Sequence, residues 1–139
     1  MRVFLDTNIL IDLGEQRKNA LYAEGILNLG ENGAIHLCAS YLSYANMGYI
    51  WRHMNREERY ELIRDLCEGI EILPMDVKQL YAGLSRPVKD YEDMLQFQCA
   101  KAGGCDVIVT NNIQDYKEFC DIPFMSSHDF LVSYLKQQQ

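Results

Sequence analysis

Long apolar runs are missing from this 139-residue chain, and nothing in it approaches the ~20 consecutive apolar residues that a membrane-spanning helix needs. Positive charge is short: 13 Lys and Arg stand against 20 Asp and Glu, for a net charge of −7. That balance argues against a protein whose whole surface grips nucleic acid, although it leaves room for a local basic patch, a basic partner, or carboxylates gathered around a divalent cation. The five cysteines (Cys38, Cys67, Cys99, Cys105 and Cys120) are odd in number, scattered, and never spaced as C-x-x-C. Neither a zinc site nor a disulfide framework is indicated, and buried reduced thiols are expected. Only three histidines occur, His36, His53 and His128, each isolated from any Ser or Cys motif, so no histidine catalysis is expected. Met1-Arg2-Val3-Phe4-Leu5 reaches an acid, Asp6, too early for a secretory signal, which makes cytoplasmic residence the expectation. No linker, repeat or low-complexity segment interrupts the chain, so residues 1–139 are expected to form one domain with one core.

What is present alternates between strands and helices. Arg2-Val3-Phe4-Leu5 is a short apolar strand of the kind buried on both faces of a parallel sheet. Further strands are predicted at 35–39, 70–73 and 106–109, with a short one near 122–125. Helices are predicted from Thr7 toward Gly14, over 19–30, from Ser40 to near Met54, from Asn55 onward, from Asp76 through Leu84, over 90–102, and from Ser127 through Leu135. Ser40, Asp76 and Ser127 read as helix caps, and the helices on either side of Asn55 as a hairpin. The alternation predicts an α/β fold, a mostly parallel sheet with helices on both faces.

Two features then carry the chemistry. Asp6 stands at the carboxyl end of the first strand, the edge where open α/β sheets bind ligands. Asp90 and Asp93 stand three residues apart at a helix start, about 60° apart around an axis of 3.6 residues per turn, and can share one ligand. Helix capping explains an acid there equally well. Right-handed crossovers bring the carboxyl ends of all parallel strands to one edge, so Asp6, Asn112 and the 90–93 turn are expected to converge. Clustered carboxylates repel, and a hard ion such as Mg²⁺ or Mn²⁺ compensates them while keeping positions open for phosphate. Asp106 precedes its strand and belongs to the opposite edge, where a structural role is expected. Arg52, Arg56 and Arg59 form either a phosphate-gripping row or helix-surface pairs with Glu57 and Glu58. Trp51 and Tyr49 suit packing or a dimer face better than base stacking.

Four stretches together resemble the PIN-domain family, and within it the VapC-type toxins of bacterial toxin–antitoxin pairs. They are Phe4-Leu5-Asp6-Thr7-Asn8-Ile9-Leu10, Ser40-Tyr41-Leu42-Ser43, Asp90-Tyr91-Glu92-Asp93-Met94-Leu95-Gln96, and Ile108-Val109-Thr110-Asn111-Asn112 with Asp115-Tyr116. The resemblance implies a three-layer α/β/α fold, Mg²⁺- or Mn²⁺-dependent cleavage of RNA, frequent homodimers, and neutralisation by a small antitoxin protein bound across the site. By position it implies Asp6, Asp93 and Asp90 as metal ligands, Thr7 and Asn8 as a structural polar pair, and Thr110 as the hydroxyl supporting Asp6. Two positions depart from the common pattern. Asn46 stands where many members carry a glutamate and Asn112 where many carry an aspartate; each amide offers a carbonyl oxygen but no charge. Metal affinity is therefore expected to be weaker, with Asp115 compensating in part. The candidate catalytic set is Asp6, Asp90, Asp93, Asn46, Asn112 and Asp115.

Two other readings compete. The neutral Asn46 and Asn112 suit a PIN-like module that binds RNA or protein with little or no turnover. A strand ending in aspartate also begins the catalytic motif of haloacid-dehalogenase-like phosphatases, but that chemistry needs a second aspartate two residues on, where this chain has Asn8.

Overall fold

A computed structural model describes residues 1–139. In chain order the elements are β1 (Arg2–Leu5), α1 (Thr7–Glu15), α2 (Ala20–Glu31), β2 (His36–Ser40), α3 (Tyr41–Ile50), α4 (Arg56–Asp65), β3 (Ile70–Leu73), α5 (Val77–Leu84), α6 (Tyr91–Ala102), β4 (Val107–Val109), α7 (Ile113–Tyr116), β5 (Phe124–Met125) and α8 (Ser127–Gln137). The five strands form one fully parallel sheet in the order β3-β2-β1-β4-β5.

Strand alternation divides the core in two. Val3 and Leu5 of β1, Leu37 and Ala39 of β2, and Val107 and Val109 of β4 face one side, where they pack with Ile9, Leu10, Ile26, Met47, Trp51 and Phe130. Phe4, Cys38 and Ile108 face the other, against Met94, Phe97, Ala100 and Tyr116. Helices thus cover both faces of the sheet, giving the three-layer α/β/α arrangement, and α1 and α6 arrive at its carboxyl edge from opposite sides. Gly14 lets α1 lie close to α3: a Cβ there would meet Trp51 Cη2 at 2.6 Å, so the glycine sets the distance between the two helices.

Several boundaries differ from the sequence expectation. Helix α3 stops at Ile50 instead of near Met54, because Trp51 turns into the core and donates its indole N–H to Glu15 (2.9 Å). The last helix is capped by Ser126, whose hydroxyl accepts from Asp129 N, with Ser127 already in the first turn. Helix α7 has no counterpart in the sequence pattern; four residues are too few to show a helical period. Ser40 and Asp76 cap as expected, the latter in a reciprocal box with Gln79. All five cysteines are free. No helix is long and apolar enough to cross a membrane.

Candidate metal centre

The chain runs outward from β1 through β2 to β3, then returns to lay β4 on the other flank of β1. The crevice between β1 and β4 is therefore the point where strand order reverses, and α/β sheets open their ligand sites there. Asp6 stands in that crevice. Its backbone N–H donates to Val109 O (3.0 Å), extending the β1–β4 ladder by one residue beyond the strand. As the N-cap of α1 it accepts from Thr7 N at 2.8 Å, and its second oxygen accepts from Thr110 Oγ1 (2.7 Å) and Asn8 Nδ2 (3.2 Å). Asn8 in turn accepts from Asn111 N (3.0 Å), and Thr110 Oγ1 accepts from Asn112 N (3.0 Å). The expected polar pair and the supporting hydroxyl are thus assembled around Asp6. Burial pushes its carboxyl pKa up, and the bonds from Thr110 and Thr7 work against that rise.

The second half of the site comes from α6. Asp90 caps that helix by accepting from Asp93 N (2.9 Å), so the capping account of Asp90 is correct, and the cap leaves its carboxylate on the same face as Asp93. Asp93 itself is 6% exposed and accepts one hydrogen bond, from Asn112 Nδ2 (3.1 Å). Asp115, carried in by α7, completes a cluster in which one carboxylate oxygen each from Asp90, Asp93 and Asp115 lies within 4.8 Å of the others. Two unit charges at that separation repel by about 3 kcal/mol at an effective dielectric of 20. No lysine, arginine or histidine forms an ion pair with any of the three. Burial first, then the charges of Asp6 and Asp90, raise the Asp93 pKa to about 8.

A cleft of about 250 Å³ opens over these groups, lined by Asp6, Asn8, Asp90, Asp93, Asn112 and the guanidinium-bearing Arg17 among others. The donors that converge on its floor are carboxylate oxygens, the set that a hard divalent ion takes, so the residues present fit such an ion. Below the cleft, the Tyr116 hydroxyl is buried with no hydrogen-bond partner, and the nearby Asp6 and Asp93 charges help burial to hold it protonated.

Two of the expected set, Asn46 and Asp115, do not line the cleft. Asp115 reaches it only through its approach to Asp90 and Asp93, and half-buried Asn46 on α3 donates its amide to Glu92 Oε1 at the rim. Gln96 carries no role in the sequence reading, yet it is 1% exposed and ties three helices together. Its Nε2 donates to Thr7 Oγ1 (2.7 Å) and Ser43 Oγ (2.9 Å), and its Oε1 accepts from Ser40 Oγ (2.6 Å). The one signal for it in the sequence is its position a turn after Asp93, on the same helix face.

The other candidates fall outside the cleft. Asp106 lies on the opposite edge, where it accepts from Arg2 N (2.7 Å). Arg52 and Arg59 donate to the carbonyls of Tyr49 and Arg52 and do not pair with Glu57 or Glu58; the Arg52 guanidinium stacks over Tyr49 at 4.1 Å. Trp51 is core, as expected. His36 and His128 each pair with an acid, Glu71 and Asp129 respectively.

Known proteins share this fold. The chain is 23% identical over 135 residues to the ribonuclease VapC1 of Aquifex aeolicus (strain VF5), covering 93% of this chain and 92% of that protein. The solved structure of VapBC-1 from nontypeable Haemophilus influenzae superposes with a TM-score of 0.71 at 22% identity, over 92% of this chain and 99% of that one. A toxin–antitoxin complex from Klebsiella pneumoniae gives 0.65 at 20% identity, over 90% and 97%. These structural likenesses carry the fold, and a family model described as the PIN domain matches residues 2–114. With that match over most of its length, the chain belongs to the PIN-domain family.

Proposed function

We propose that this protein is a divalent-metal-dependent endoribonuclease, the toxin of a toxin–antitoxin pair, and that Mg²⁺ or Mn²⁺ is its ion. The observation that carries this reading is the uncompensated group of buried and half-buried carboxylates at the β1–β4 crevice, in a fold whose relatives include a ribonuclease. Asp6, Asp90 and Asp93 would hold the ion, with Asp115 beside them. When bound, a divalent ion supplies electrostatic stabilisation at the phosphodiester and acidifies water. This chain's residues set the stage for that chemistry. Thr110 and Asn8 fix one oxygen of Asp6. Asn112 holds one oxygen of Asp93 and leaves the other without a hydrogen bond. The Gln96 network locks α6 to α1 and α3, so the two aspartates keep their separation. Arg17, at the cleft wall and paired there with Glu15 (3.2 Å), would turn its remaining N–H groups to the substrate's phosphate.

A small antitoxin protein is the expected partner, as in the Klebsiella pneumoniae complex. Exposed Tyr41, Tyr49, Ile50 and Tyr60 on α3 and α4 offer apolar surface for it, and exposed Val77, Tyr81 and Leu84 on α5 offer a face for a second copy in a homodimer. The neutral Asn46 and Asn112 favour a second reading, a PIN module that binds RNA and turns it over slowly or not at all. Incubating the purified protein with RNA, with and without Mn²⁺, separates the two. Cleavage that needs Mn²⁺ and disappears in Asp93→Asn is expected. Cleavage independent of metal or indifferent to that substitution would sink the nuclease reading, and RNA binding without cleavage would establish the second.

A further inference from the structure

The amino edge of the sheet, away from the cleft, carries another group of ligating side chains. Successive residues of a strand point to opposite faces, so His36 and Cys38 of β2 share one face. The parallel register sets Glu71 of β3 beside Cys38, and Arg2 of β1 beside His36, on that same face. One ligating atom each from His36, Cys38 and Glu71 lies within 4.8 Å of the other two. Helix α6 covers this face only as far as Ala102, after which Gly103 and Gly104 turn the chain toward β4. Beyond that cover His36 and Glu71 are exposed while Cys38 lies beneath them, buried. Cys105, just past the turn, packs in the same buried cluster as Cys38.

We propose that His36, Cys38 and Glu71 form a second metal site, for a borderline-soft dication such as Zn²⁺, with Cys105 next in reach as a fourth ligand. A thiol, an imidazole and a carboxylate are the ligand types that Zn²⁺ accepts in tetrahedral sites, and a thiol is foreign to the all-oxygen shell of Mg²⁺. The present contacts do not stand in the way. Glu71 Oε1 takes His36 Nε2 at 2.7 Å and Arg2 Nη1 at 3.1 Å, both exposed pairs of the kind that contributes little to stability. The carboxylate has a second oxygen, so Arg2 can remain on Glu71 while a metal takes the other, and Arg2 Nε stays anchored on Gly103 O (3.0 Å). Binding releases the Cys38 thiol proton to solvent, and the His36 ring nitrogen exchanges its bond to Glu71 for the metal. The ligands come from two strands, with Cys105 on the turn before a third, so metal would pin the amino ends of the sheet together. Sequence spacing hides this site, because His-x-Cys is not a zinc motif and Glu71 joins it only through strand pairing.

Titrating the full-length, metal-free protein with Co²⁺ as a spectroscopic probe tests the site. A thiolate-to-cobalt charge-transfer band that saturates at one Co²⁺ per chain and is bleached by Zn²⁺ is expected. Loss of a direct ligand, in His36→Gln or Cys38→Ala, should weaken binding at least about 100-fold, the upper end of what removing a mere supporting contact costs. Cys67→Ser and Asp93→Asn should leave the band unchanged. His36 is exposed, so His36→Gln keeps the fold and decides the question even if Cys38→Ala does not fold. Absence of the band in the wild type, or its survival in His36→Gln, overturns the proposal.

Discussion

Asp6 and Asp93 are both carboxylates taken out of water at the same edge of the same sheet, and the chain provides for them in opposite ways. Asp6 accepts from Thr7 N, Asn8 Nδ2 and Thr110 Oγ1, and sits on a backbone stitched to β4. Asp93 accepts from Asn112 alone and faces Asp90 and Asp115. A buried charge is tolerated when hydrogen bonds replace its water, and Asp6 meets that condition. Asp93 does not, so it is the place where the fold gives up stability, with one carboxylate oxygen left without a hydrogen bond at the cleft. One site thus holds a braced carboxylate, Asp6, and a nearly unbraced one, Asp93.

The sharpest way to test that division is catalysis. If both aspartates hold one ion, Asp6→Asn and Asp93→Asn each lower single-turnover RNA cleavage by about 10³-fold or more, a loss in the range of a disrupted catalytic group. An Asp6→Asn enzyme that cleaves within a few-fold of wild type would make Asp6 scaffold only. Next in size is the response to metal. Mn²⁺ at 100 times its dissociation constant should stabilise the wild type by about 2.7 kcal/mol in thermal unfolding. The gain should vanish in Asp93→Asn.

Without metal the two asparagine variants should move stability in opposite directions. Asp6→Asn leaves a donor without a partner and costs about 1–3 kcal/mol. Asp93→Asn removes the repelled charge and gains about 1–2 kcal/mol at pH 8, less than full linkage because the cleft is open to water. A loss in both, measured by urea denaturation, would erase the contrast. The smallest effect is on pH dependence. Folded Asp93 keeps its proton up to about pH 8, whereas the unfolded chain releases it near pH 4. Between those values the native state binds more protons, so this contribution is complete below the lower value and is lost as pH rises through 8. Its slope is at most about 1.4 kcal/mol per pH unit. Metal-free wild type should show that decline, and Asp93→Asn a flatter curve.

Local signals make much of this legible. Asp6 at a strand end, Asp90 as a cap and Thr110 after β4 are read from strand and helix boundaries, and alternating elements give the parallel sheet. Contacts across the fold are not legible in that way. Gln96 looks like a solvated helix residue until α1 and α3 close over it, and Asn46 finds Glu92 only through the packing of α3 beside α6. Helix α3 ends early for the same reason: Trp51 obeys the core, not helix propensity. Cysteine spacing gives no hint of zinc because a sequence motif follows chain order, whereas His36, Cys38 and Glu71 follow strand order.

The hydrogen bond from Thr110 to Asp6 spans 104 residues of chain, and this has a bearing on synthesis. Asp6 is made long before its supporting hydroxyl, Asn112 and Asp115, which follow all but the last strand of the sheet. A contact of such high sequence separation forms late, and a growing chain released N-terminus first cannot assemble the cleft until β4 and α7 have left the ribosome. The order of the strands therefore acts as a timer. Every incomplete chain that ends before residue 110 lacks one wall of the cleft, and the carboxylates at its floor stay apart until then.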